Sequence, residues 1–301
     1  MTFSVQSRHS LTYVVEEIFG DTPASPSLSR LRHTGCEISL SKKTIQSDEI
    51  RNDRQMGHVI HSLQSVTGDV DFELSFGSHD DILAAALYGD WNSDVLKSGT
   101  IQKSLTFERG FNDISQFQTF TGCVVDELNL SIQPESLVAG RFSVIGKGMD
   151  TAASPSDASP LEVSNTAPID SFMGTVSEGG TVLAHVAGID LKVENGAEST
   201  FVLGSDKAET IVPGRSRVSG ELVAYFENNA LIEKFINADE SSLEISLSGI
   251  GGSYTILIPK ILYTGADMPV KGDKVVTINL PFAALYDESA GTNLKITRTA
   301  T

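Results

Sequence analysis

Cationic side chains are scarce in this chain. Lys and Arg number 22 against 39 Asp and Glu in 301 residues, a formal net charge of −17. A protein that grips nucleic acid by its phosphates needs the opposite sign, so backbone binding is excluded as its main activity. Nucleic acid passing close by, unheld, is not excluded. Cysteine is nearly absent: Cys36 and Cys123 have no metal-binding spacing and make no disulfide framework. Two buried thiols in a reducing cytosol are the expectation. No run of eighteen apolar residues occurs, and Met1–Ser10 lacks a basic-then-apolar leader pattern. Synthesis and assembly in a cytosol, with no membrane partner, are expected.

Catalytic signatures are missing too. There is no nucleophile elbow, Walker loop, dinucleotide fingerprint or zinc-protease motif. Gly249-Ile250-Gly251-Gly252-Ser253 is glycine-rich, but Tyr254-Thr255-Ile256-Leu257-Ile258 after it reads as a strand, so a hairpin turn explains it. His58 and His61, three apart on a strand, point to opposite faces and share no metal. His79-Asp80-Asp81 marks a helix start, where acids suit the dipole. No enzyme activity and no cofactor are expected.

What the chain does have is a long internal repeat. Gly35-Cys36-Glu37-Ile38-Ser39-Leu40 recurs as Gly188-Ile189-Asp190-Leu191-Lys192-Val193. Thr67-Gly68-Asp69-Val70-Asp71-Phe72-Glu73-Leu74, followed by the run Asp81–Leu87, recurs as Ser219–Phe226 followed by Ala230–Ile236. A repeat this long means two domains rather than a solenoid. Between the copies, Thr151–Pro160 holds small residues, two prolines and no apolar period, which reads as a linker. The expected organisation is an N-terminal arm over 1–29, a first domain over 30–150, a linker over 151–168 and a second domain over 169–301.

Within each copy the period is mostly two. Asp69, Asp71 and Glu73 alternate with Val70, Phe72 and Leu74, so one face is wet and the other buried. Each copy has one helix. Ser78 is the expected cap of the first, Gly89 its stop, and Ile82, Leu83 and Leu87 lie on its apolar stripe. Asn228 is the expected cap of the second, with Leu231, Ile232 and Phe235 on its stripe. The fold expected is mainly β: two tandem sandwiches or half-barrels, each with a flanking helix and a long hairpin loop. Residues 42–56 and 194–217 are long for connections. They are candidates to reach a neighbouring subunit through Ile45, Asp48, Glu49, Arg51, Asp53 and Arg54 in the first, and Lys207, Glu209 and Arg215 in the second.

The acid row Asp69, Asp71, Glu73 has the spacing of paired carboxylates in a glycosidase, whose acids stand roughly 5–9.5 Å apart. A sugar cleft also needs aromatic platforms. Trp91 is the single tryptophan, and the second copy keeps only Glu221 of the row. A solvated acidic face is the better reading, and a glycan-binding or glycan-hydrolysing virion or surface protein is the alternative.

Several stretches resemble the tail tube (major tail) proteins of long, non-contractile-tailed bacteriophages. They are Gly35–Ile38, Gly68–Leu74, Leu87-Tyr88-Gly89-Asp90-Trp91, Tyr254–Tyr263 and Leu280-Pro281-Phe282-Ala283-Ala284-Leu285-Tyr286-Asp287. The resemblance implies stacked rings of six domains whose strands join one lumenal barrel and conduct double-stranded DNA during ejection. It implies tape measure, tail terminator and distal tail proteins as partners, and a virion tail as location. With the domain duplicated, three chains would supply one ring. A lumen facing DNA should repel it, and Glu37, Asp69, Asp71 and Glu73 are the candidates to line it. The sequence leaves open whether they face inward or outward.

Overall fold

A computed structural model describes residues 3–53, 55–270, 272 and 275–301. Arg54, one of the candidate loop residues, lies outside them. Among the described residues the chain is mainly β, with two short α-helices, and its sheets do not close on themselves. The first half contains β1 (His9–Val15), β2 (Ser29–Arg30), β3 (Gly35–Cys36), β4 (Ser39–Gln46), β5 (Val59–Glu73), α1 (Asp80–Ala86), β6 (Val95–Lys97), β7 (Leu105–Phe111), β8 (Gln116–Ile132), β9 (Ala139–Gly146) and β10 (Gly148–Ala152). The second half contains β11 (Gly174–Glu178), β12 (Thr181–Val182), β13 (Val186–Glu194), β14 (Glu198–Thr200), β15 (Thr210–Val212), β16 (Arg217–Tyr225), α2 (Ala230–Asn237), β17 (Ser241–Gly249), β18 (Gly252–Tyr263), β19 (Thr277–Ala284) and β20 (Lys295–Ala300).

The pairings run in one order through both halves. In the first, β5 lies between β3/β4 and β9, β9 pairs with β8, and β8 pairs also with β7 and β10; β7 carries β1. In the second, β16 lies between β13 and β19, β19 pairs with β18, and β18 pairs also with β17 and β20; β17 carries β11. All these pairs are antiparallel. Among the described residues two strand pairings link the halves: Glu127–Ile132 at the end of β8 pairs with Ile189–Glu194 of β13, and the short β6 pairs with Lys295–Thr297 of β20. A single sheet therefore runs β4–β5–β9–β8–β13–β16–β19.

Alternation along this sheet decides its faces. Val70, Phe72, Leu128, Leu130, Phe142, Ile189, Leu191, Leu222 and Leu280 are buried on one side. In the first half the facing layer is β1–β7 with the start of β8, including Leu11, Tyr13, Phe107 and Phe120. Phe107 stacks on Phe142 at 6.0 Å between ring centres. Each such fully buried side chain contributes about 1.5–3 kcal/mol. β1 belongs to this core, so the segment expected as an arm supplies one of its strands. The segment expected as a linker is likewise stitched down: Arg30 N–H donates to the Leu161 carbonyl and Leu161 N–H to the Leu28 carbonyl.

The close approach of neighbouring strands requires glycine at matching places. A Cβ on Gly68 would stand 2.4 Å from the Glu37 carbonyl oxygen, and one on Gly220 2.2 Å from that of Asp190. Helix ends differ from expectation. His79, not Ser78, occupies the cap position of α1 and makes no capping bond; the Ser78 hydroxyl donates instead to the Ser164 carbonyl. The helix stops at Ala86, and Tyr88 rather than Gly89 takes positive φ (49°). In α2 the cap position falls to Asn229, not Asn228, and its side chain makes no capping bond; Asn228 Oδ1, one residue earlier, accepts the Ala230 N–H at 2.9 Å.

Candidate assembly surfaces

The polar face of the joined sheet is built by the odd-numbered residues of β5. Register then fixes what each meets. Asp69 stands opposite Ser143, Asp71 opposite Arg141, and Glu37 lies across from Asp69, its N–H donating to the Asp69 carbonyl. The same face continues through Asn129 and Ser131, opposite Lys192 and Asp190, to Glu221. The four acids singled out in the sequence thus share one face. Carboxylates outnumber cations on it, since Glu127 and Glu194 also lie there against Arg141, Lys192 and Arg217.

Two of the acids are engaged. Arg141 Nε donates to Asp71 at 2.6 Å and the Ser143 hydroxyl to Asp69 at 2.7 Å. The hydrogen bond to Asp71, with the nearby Asp69 and Glu37 charges, pushes the Arg141 pKa up. Lys192 is raised likewise by Glu194 and Glu127, at 2.8 and 3.2 Å. Arg141 and Ser143 were not legible as partners. Alternation assigns a face to every strand residue, but only register brings two strands' residues opposite.

The two long connections behave differently. The hairpin of β4 and β5 is anchored by Val66–Glu73 on β9, and its outer end extends beyond that anchor, with Ile45, Asp48, Glu49 and Arg51 exposed, as is Asp53; Arg51 and Asp53 pair at 2.8 Å. Ile45 belongs to β4 rather than to a loop. At the end of this hairpin Ile50 is 98% exposed, with Met56 and Ile60 also bare.

Residues 194–217 fold back onto the first half of their own chain. β14 and β15 pair with each other. Ala197 and Ile211 pack with Tyr88 and Val124. Asn195 Nδ2 donates to the Ala86 and Val125 carbonyls, and Gln64 bonds Asp206 through backbone and side chain. Lys207 is half-buried there; Glu209 and Arg215 are exposed. Asn195 escaped sequence reading because its partners lie 70 and 109 residues away.

The helices differ in the same sense. Ile82, Leu83 and Leu87 are buried. Leu231, Ile232 and Phe235 are only partly buried, and Ile236 is 71% exposed.

Trp91, the one indole available to a sugar site, is occupied. The Arg298 guanidinium lies 4.7 Å over its ring, and its Nε1 donates to the Asp80 carbonyl. Among the described residues no group of three His, Cys, Asp or Glu side chains is placed to hold a metal. Among the described residues no helix is long and apolar enough to cross a membrane.

These features define a β-sandwich protein whose continuous sheet is left open and whose polar face is acidic. The family model described as phage tail tube protein matches residues 6–284, and the chain belongs to that family. It is a structural protein of the virion tail. No curated protein matches the sequence.

Proposed function

We propose that three copies of this chain close into a ring and that stacked rings form a tube conducting double-stranded DNA at ejection. One observation carries the reading: the sheet passes from the first half into the second through β8 and β13 without a break. A sheet with open edges is a template for further strands, and closure by rotation removes those edges. The matching order of pairings in the two halves supports taking them as diverged copies of one domain, over 30–150 and 169–301. Three chains then supply six domains.

The charge suits the cargo. Each chain carries −17, and the acidic face through Glu37, Asp69, Asp71, Glu73 and Glu221 is the surface assigned to the lumen. DNA in transit is repelled rather than held, so no phosphate contact retards it. The outer end of the 39–73 hairpin is assigned to the next ring. The 194–217 segment, packed on its own chain, is assigned to consolidating the joint between halves. Tape measure, terminator and distal tail proteins are the further partners, and the tail is assembled in the host cytoplasm. No enzymatic step is assigned.

Negative-stain microscopy of the purified protein tests this. Rings or tubes with a central hole and threefold averages are expected. A protein that stays monomeric at assembly concentrations and binds glycans would replace it with the carbohydrate reading.

A further inference from the structure

The joint inside the chain is a template for the joint between chains. Gly68 and Gly220 occupy matching places, as do the strands they abut, so Cys36, Ile38 and Leu40 correspond to Ile189, Leu191 and Val193. Those three pair with Ile132, Leu130 and Leu128 of β8. The matching run in the second half is found by register. Asn129 stands opposite Arg141 on β9, and Asp267 opposite Asn279 on β19, each one strand beyond the glycine-bearing strand. Residues 265–270 therefore correspond to 127–132.

Building on the ring reading, we propose that the 265–270 edge of one chain pairs antiparallel with the Gly35–Leu40 edge of a second copy, with Val270 opposite Cys36, Met268 opposite Ile38 and Ala266 opposite Leu40.

Burial supports this. Leu128, Leu130 and Ile132 are buried at the internal joint, whereas Met268 and Val270 are 41% and 76% exposed. On the receiving side Ile189 and Val193 are buried, whereas Cys36 and Leu40 are only half-buried. Ile38 is already buried within its own chain, as Leu191 is, so the uncovered positions are Cys36 and Leu40 on one edge and Met268 and Val270 on the other. Among the described residues, β4 pairs with β5 alone.

Backbone polarity agrees. Asp267 exchanges both main-chain hydrogen bonds with Asn279, at 2.9 and 2.8 Å, so Ala266, Met268 and Val270 aim theirs at the open side. Pro269, which has no N–H, falls on the β19-facing parity and removes no donor from that side. On the receiving strand Glu37 N–H bonds Asp69, so the main-chain groups of Ile38 are directed to the open side while its side chain lies in the core. Its carbonyl accepts from Arg109 at 2.7 Å and has a second lone pair for an incoming strand.

The test is a disulfide across the pair Ser39 and Asp267, which this register places directly opposite, about 4.5 Å between Cα atoms. That distance suits a disulfide. Ser39→Cys and Asp267→Cys are combined with Cys36→Ser, and the tubes are oxidised. Asn129→Cys with Lys192→Cys is the internal control.

Covalent dimers and trimers, and nothing larger, are expected on non-reducing gels. Threefold tubes without an interchain band, while the control oxidises, would overturn the edge assignment alone. Rings of another symmetry, or none, would overturn the ring reading and this inference with it. Met268→Glu is a second probe: an unchanged melting temperature with ring closure lost is expected, and normal tubes would overturn the pairing.

Discussion

Asp80 and Arg298, 218 residues apart, form an ion pair that ties α1 to the last strand of the chain. The other Asp80 oxygen accepts the Tyr254 hydroxyl at 2.5 Å, and Arg298 also donates to Asp94 at 2.7 Å. Tyr254 is buried and in turn accepts the Gly77 N–H. Three elements drawn from both halves of the chain thus meet at one carboxylate.

Asp80→Ala removes that hub, leaving Arg298 with Asp94 alone and the buried Tyr254 hydroxyl without its acceptor. A loss of about 2–3 kcal/mol is expected, because hydrogen bonds to charged groups are each worth about 1.5–3 kcal/mol and part of the pair is solvent-screened. Urea unfolding measures it. A change under about 0.5 kcal/mol, the range of an ordinary surface substitution, would mean the cluster is incidental.

His79 predicts a pH dependence. It is buried against Phe72, at 4.4 Å between ring centres, and its Nε2–H donates to the Arg32 carbonyl. Burial lowers its pKa to about 4. Unfolded, it titrates near 6.5. Stability is therefore complete above pH 6.5 and falls as pH drops toward 4, since only the unfolded chain takes up the proton there. The full loss is roughly 3 kcal/mol. His9, also lowered to about 4 by burial and by His33 and Arg109, acts in the same direction. Denaturant midpoints at pH 7.5 and 4.5 should differ by less in His79→Gln than in the parent.

Gly68→Ala and Gly220→Ala place a methyl against backbone and should cost several kcal/mol, because neither strand can withdraw without breaking the ladder. Gly180, with φ of 79° and open space within 4 Å of where a Cβ would stand, sets the scale for strain alone. Gly180→Ala should cost about 1 kcal/mol. Equal thermal shifts in the three variants would contradict the close-approach argument.

Ile50→Asp and Met56→Asp alter exposed side chains at the end of the hairpin. Monomer stability should stay within about 0.5 kcal/mol. Tube elongation should fail, because the tip of the 39–73 hairpin is assigned to the next ring. Sedimentation alongside circular dichroism melts separates the two effects, and full-length tubes from both variants would remove the hairpin from the stacking contact.

Lumenal charge is best probed where no partner is disturbed. Asp71 holds Arg141, so reversing it would confuse folding with transport. Glu73→Lys with Glu221→Lys should leave tubes intact and slow DNA release severalfold, more at low salt than at high salt. Ejection unchanged in rate at low salt would put this face outside the tube.

Strand faces were readable from the sequence because period two is local: Val70 and Phe72 go in whenever Asp69 and Asp71 go out. The two helices were readable for the same reason. Cap choice was less so. Ser78 has the right chemistry for a cap, but the Ser164 carbonyl claims its hydroxyl. The two long connections looked alike in length and polarity, yet one projects and the other lies on Tyr88 and Val124. Their difference is set by apolar surface supplied from elsewhere in the chain.

The amino-acid order by itself determined the β character, the acidic balance and the alternating faces, since each depends on residues within a few positions or on composition. Only the tertiary structure decided that β8 spans both halves, that Arg141 answers Asp71, and that Asp80 meets Arg298. Those relationships are set by strand register and by which edges remain free, and register is the outcome of the whole chain's packing rather than of any one segment.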